Sequence, residues 1–71
     1  MMKAPYRNAI KTKILIRETV ISLLSKNKTM NDITVSDVVE AANINRGTFY
    51  NHYSSPIEVL EEMKNELMDS L

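Results

Sequence analysis

The chain has 71 residues, 44% of them hydrophobic and 25% charged, with no cysteine and one histidine. That length allows one small domain of ordinary soluble composition, with a core too small to enclose a substrate cavity. Disulfides, thiolate chemistry and Cys/His metal pairs are excluded, and no apolar run nears the roughly 18 residues of a membrane span.

The net charge of zero hides an asymmetry. Residues 1–31 carry seven basic side chains (Lys3, Arg7, Lys11, Lys13, Arg17, Lys26, Lys28) against Glu18, a balance of +6. Residues 32–71 carry Arg46 and Lys64 among eight acids, a balance of −6. A dipole of this kind can offer one face to a polyanion while the other repels it, and solvated helix faces are the plainer explanation. The start MMKAPYRN lacks the apolar stretch of a secretion signal, so a cytoplasmic location is expected.

Nothing reads as strand. Apolar residues recur every three or four positions, with one glycine and two prolines in the chain. The expected fold is all-α, a single domain over 1–71 built as a bundle of about four helices. The first helix should run from about Asn8 to Lys26, after Pro5. Ile16, Thr19, Val20, Leu23 and Leu24 form its inward stripe, and Ile10, Ile14 and Ile21 an apolar edge on a neighbouring face. Asn27–Asp32 is polar and turn-like.

Three start signals follow. Thr34-Val35-Ser36-Asp37 reads as a capping box, with Ile33 and Val38 at the staple positions. Asn45 caps the next helix, with Ile44 and Phe49 as staple. Ser55-Pro56-Ile57-Glu58 forms a third box with Pro at the first helical position. Helices are therefore expected near 35–42, 46–52 and 56–70. Asn43 suits the left-handed conformation that ends a helix, though Gly is easier there. Two short helices separated by Asn43–Asn45 make a helix-turn-helix, whose second helix can enter a DNA major groove.

In the segment ITVSDVVEAANINRGTFYNHYSSPIEVL, residues 33–60, the string Arg46-Gly47-Thr48-Phe49-Tyr50-Asn51-His52-Tyr53 follows a helix opening Thr34-Val35-Ser36-Asp37-Val38. It resembles the N-terminal DNA-binding domain of TetR-type (tetracycline-repressor-like) bacterial regulators, whose recognition helix has the form Arg-Gly-Thr-Phe-Tyr-x-His-Phe/Tyr. The resemblance covers nearly the whole chain. It implies sequence-specific binding of double-stranded DNA, with Thr48, Tyr50 and His52 touching DNA and the last two mainly holding phosphates.

The residues themselves are suited to that role. Arg46 can take a guanine edge with two hydrogen bonds, or a phosphate. Gly47 lets the backbone approach the bases, although a glycine near a helix end is also ordinary. Phe49 and Tyr53 should anchor the helix in the core, leaving positions 46, 47, 50 and 51 outward. Asn51 can read an adenine. Outside the motif, Tyr50 would be a surface aromatic and His52 a satisfied histidine. Thr34 and Ser36 at one helix start, Asn45 at the next and Ser55 at the last can hold phosphates besides capping. The basic arm Lys3, Arg7, Lys11 and Lys13 can track the backbone or enter a minor groove.

Three positions depart from the family pattern. Pro56 stands where Lys is usual, Ser36 where a basic or larger polar residue is frequent, and Asn43 in place of the turn Gly. The first two lower the expected affinity. The resemblance also implies a dimeric repressor whose effector and dimerisation domain lies outside this chain. The chain then resembles an isolated reader head, monomeric or weakly dimeric, with no effector site of its own.

The competing reading is a protein-interaction module working through the apolar stripe Ile57, Leu60, Met63, Leu67 and Leu71 of the fourth helix, flanked by Val59 and Met68. Glu58, Glu61, Glu62, Glu66 and Asp69 read as its solvated face. No nucleophile–base pair, carboxylate pair or glycine-rich phosphate loop appears, so no enzyme, cofactor, metal or membrane partner is expected.

Overall fold

The structure, a computed structural model, describes residues 5–26 and 28–69, with side chains from Ala9 onward. Among the described residues it is all-helical: α1 (Pro5–Leu24), a 3-10 turn (Met30–Asp32), α2 (Val35–Ala42), α3 (Arg46–Tyr50) and α4 (Pro56–Asp69). The order and type of the helices match expectation.

Helix α1 begins three residues earlier than its periodicity suggests, because Pro5 serves as the first helical residue rather than preceding it. A missing N–H is harmless there. It ends two residues early. Lys26 donates to Leu23 O (3.2 Å), a tightened last turn, and the Ser25 hydroxyl donates to Ser22 O (2.8 Å). The expected inward stripe is observed, with Ile16, Thr19, Val20 and Leu23 buried and Leu24 packed at the edge. Thr19 loses no hydrogen bond by burial, since its hydroxyl donates to Leu15 O at 2.7 Å.

Local chemistry places α2 and α3. The Thr34 hydroxyl accepts from Asp37 N–H (3.1 Å), and the Asp37 carboxylate accepts from Thr34 N–H (3.0 Å). Ile33 and Val38 are both buried beside this box. The helix ends on Asn43 in the left-handed conformation (φ 58, ψ 47). Asn43 N–H bonds Glu40 O (3.3 Å) and Ile44 N–H bonds Val39 O (3.0 Å), a Schellman closure that turns the chain within three residues. Asn45 then caps α3, its side-chain oxygen accepting from Thr48 N–H at 2.8 Å.

Regular α3 stops at Tyr50, short of the expected 52. His52 N–H bonds Phe49 O (2.9 Å), tightening the final turn, while Tyr53 N–H bonds the same carbonyl (3.0 Å).

The third start signal departs from expectation. Ser55 Oγ accepts only a long bond from Glu58 N–H (3.4 Å), and the Glu58 carboxylate reaches Ser54 rather than Ser55. Ser54 presents two donors at once to the same carboxylate oxygen, its backbone N–H and its hydroxyl (2.8 Å). Helix α4 divides its apolar residues between core and surface. Pro56 and Val59 are buried and Leu60 and Met63 pack against the core, whereas Ile57, Leu67 and Met68 are exposed. Leu71 lies outside the described residues. Val59, which flanks the apolar stripe in sequence, is wholly buried.

Ile16, Val20, Leu23, Ile33, Val38, Val39, Phe49, Tyr53 and Val59 make one cluster to which every α-helix or its adjoining turn contributes. Phe49 is wholly buried within this cluster. Burial of an aromatic or branched aliphatic side chain contributes about 1.5–3 kcal/mol. No described side-chain polar atom is buried without a partner.

Candidate nucleic-acid interface

The alternation within α3 separates two faces. Phe49 and Tyr53, four residues apart, point inward and are 0% and 4% exposed. Arg46, Gly47, Tyr50 and Asn51 are exposed, as the spacing predicts, and Thr48 and His52 are half-buried between the faces. Tyr50 stands edge-on to Phe49, with ring centroids 5.6 Å apart and planes at 87°. A ring that is 52% exposed is thus held at a defined angle by a buried one.

Gly47 carries no backbone requirement of its own. It does not have positive φ, and a Cβ added there would meet only Asn45 Oδ1, at an ordinary 3.5 Å. Glycine in a helix costs about 1 kcal/mol relative to alanine. Among the described residues, then, nothing requires the absence of a side chain at this position.

The α2–α3 unit gathers most of the candidate residues. The Arg46 guanidinium donates to the Ser36 hydroxyl, joining the starts of the two helices. Thr34 is exposed beside Ser36, and Lys28 Nζ lies 3.5 Å from the Asp37 carboxylate of the capping box. The Thr34 N–H, more than any other group, holds the Asp37 carboxyl below its ordinary range. Asn45 and Ser55 are engaged as caps, with Asn45 exposed and Ser55 half-buried.

Of the basic arm, only Lys11 and Lys13 have described side chains, and their surroundings differ. Lys3 and the side chain of Arg7 lie outside the described residues. Lys11 is exposed. Lys13 instead faces α4, its ammonium 2.8 Å from Glu62 Oε2 and 5.7 Å from the centre of the Tyr53 ring. Part of the basic first half is thus matched by the acidic second half within the molecule.

That pairing belongs to a network that the sequence reading missed. Arg17 Nη2 donates to Glu62 Oε1 (2.9 Å) and Glu66 Oε2 (2.6 Å), and its Nε reaches the Tyr53 hydroxyl at 3.4 Å. The Tyr53 hydroxyl donates to Glu62 Oε1 at 2.5 Å. Glu62 is therefore half-buried as the α4 side of a seam with α1, while Glu66 stays solvated as it pairs with Arg17. Hydrogen bonds from Lys13 and Tyr53 pull the Glu62 carboxyl down to about 2, and burial beside Glu62 pushes the Tyr53 phenol up to about 12. Matched i, i+4 spacings, Lys13/Arg17 and Glu58/Glu62/Glu66, were the available signal.

Among the described residues no group of three or more His, Asp or Glu side chains gathers as a metal site. No helix among the described residues is long and apolar enough to cross a membrane.

The family model for bacterial regulatory proteins of the tetR family matches residues 26–63. The chain belongs to the TetR family. The match takes in the 3-10 turn, α2, α3 and the first half of α4, and so the whole α2–α3 unit. Over 57 residues the chain is 32% identical to the uncharacterized HTH-type transcriptional regulator YxbF of Bacillus subtilis (strain 168). That alignment covers 80% of this chain and 15% of the relative, so the chain spans a small part of the relative's length. No solved structure matches. The chain thus carries the helix-turn-helix DNA-binding domain of the TetR-type transcription regulators. The interaction-module alternative is not favoured.

Proposed function

We propose that this domain is the sequence-reading head of a dimeric repressor, working on double-stranded DNA in the cytoplasm. Helix α3 enters the major groove with Arg46 at a base edge or phosphate, and the Gly47 backbone comes close to the bases. Thr48 and Asn51 flank that contact, while Tyr50 and His52 hold phosphates. The starts of α2, α3 and α4, with Thr34, Ser36, Asn45 and Ser55, grip the backbone alongside, and Lys3, Arg7 and Lys11 extend the footprint. Lys13 is left out, because its charge is taken by Glu62. The repressor and dimer parts rest on the family to which the chain belongs.

The observation that carries this reading is Gly47, exposed between Arg46 and Tyr50 at a position where the fold has room for a side chain. Fluorescence anisotropy of a labelled duplex, repeated over a range of salt, tests it. Log affinity should fall linearly with log salt, by about 0.9 for each phosphate contact neutralised by a cation. Tyr50→Phe should weaken binding with little change in melting temperature. Salt-independent binding, or a Tyr50→Phe chain that melts early and binds normally, would contradict the assignment.

A further inference from the structure

The α1–α4 seam ends on the turn that follows the recognition helix. Tyr53 closes that turn: its N–H bonds Phe49 O, its ring is buried 6.1 Å from Phe49, and its neighbour is His52. Its hydroxyl meets Arg17 of α1 and Glu62 of α4, and Lys13 lies over its ring. The apolar core alone would seat the ring but leave its rotation about the helix axis to shape. The hydroxyl adds a directional link with donor and acceptor both satisfied.

Resting on the DNA-reading function above, we infer that Arg17 and Glu62 are positioning residues for the interface. Through the Tyr53 hydroxyl they fix the turn carrying His52 between α1 and α4, and so set how Tyr50 and His52 meet a duplex. Neither residue touches DNA in this arrangement. Arg17 also bonds Glu66 one turn further along α4, so the same guanidinium ties the distal half of α4 to the reading end.

The sign of one substitution separates positioning from charge. Glu62→Gln removes a negative charge, which by electrostatics alone strengthens binding to a polyanion. Loss of positioning weakens it. The 71-residue chain would be titrated with a mixed-sequence duplex at low salt, together with Glu62→Gln, Tyr53→Phe and the double variant. Each affinity would be referred to the folded fraction measured by circular dichroism.

The inference expects each single variant to bind on the order of three- to tenfold more weakly, and the double variant no more weakly than a single one. Unchanged or tighter binding by Glu62→Gln would overturn it, as would strict additivity of the two changes. A purely structural role lowers the melting temperature and leaves the affinity of the folded fraction intact, which also overturns it. Tyr53→Phe keeps the buried ring, so it carries the test if Glu62→Gln is poorly folded. Failure of the unsubstituted chain to bind would instead contradict the DNA-reading assignment itself.

Discussion

Single residues in this domain divide into those that build the turn and those that face outward. Gly47 is the clearest of the second kind. Gly47→Ala should raise stability by up to about 1 kcal/mol, because alanine favours the helix and its Cβ has room. The same change should weaken duplex binding about tenfold or more by holding the backbone off the bases. Thermal melting and a binding titration on one preparation would show both. Lower stability would place the glycine in the fold instead.

Asn43 is the converse case. It bears a side chain at φ 58, where glycine is without strain, so Asn43→Gly should be stabilising by a few tenths to about 1 kcal/mol. For a domain of this size that corresponds to a melting temperature higher by several degrees, about 4–8 °C per kcal/mol. Thr34→Ala should cost about 1 kcal/mol, since Asp37 N–H then loses its acceptor at the start of α2.

At the scale of elements, α2 and α3 are held by local bonds and α4 by its seam with α1. The seam gives the domain an acid-sensitive edge. The folded-state pKa of Glu62 is depressed to about 2 from the ordinary 4.5. Its contribution is therefore complete above about pH 4.5 and is lost as pH falls toward 2. Tyr53 has the opposite sign: its pKa is raised to about 12 from 10, so its contribution is complete below pH 10 and is lost as pH rises toward 12. Urea unfolding across pH should show both flanks. Glu62→Gln should flatten the acid one, and an unchanged acid flank would show that other carboxylates set it.

The same division explains what the sequence disclosed. Thr34 with Asp37, and Asn45 with Thr48, are close in sequence, so their bonds could be read as spacing. Ser54 was passed over for Ser55 because the capping rule counts three residues, while the Glu58 side chain reached four back to a better pair of donors. Arg17 and Glu62 are 45 positions apart. Their meeting depends on how α1 and α4 pack, and the same packing buries Val59.

For the molecule as a whole, the +6 and −6 halves are not simply two opposed faces. Lys13 and Arg17 are matched by Glu62 and Glu66 across the seam and Lys28 by Asp37, so among the described residues the charge left for a duplex comes from cations such as Arg46, Lys11 and Lys26 and from helix starts. A single head with so few cations should bind weakly. Two heads joined in a dimer would gain affinity through effective concentration without any new contact. Their half-sites would be spaced about one helical turn, or a multiple, apart.

The most direct test is an amide NMR titration of the isotope-labelled chain with a mixed-sequence duplex at low salt. The account predicts progressive shifts at residues 34–36 and 45–55. The distal end of α4, around Leu67 and Met68, should stay still. Shifts confined to that distal end, or no shift at about millimolar duplex, would contradict DNA reading by α3.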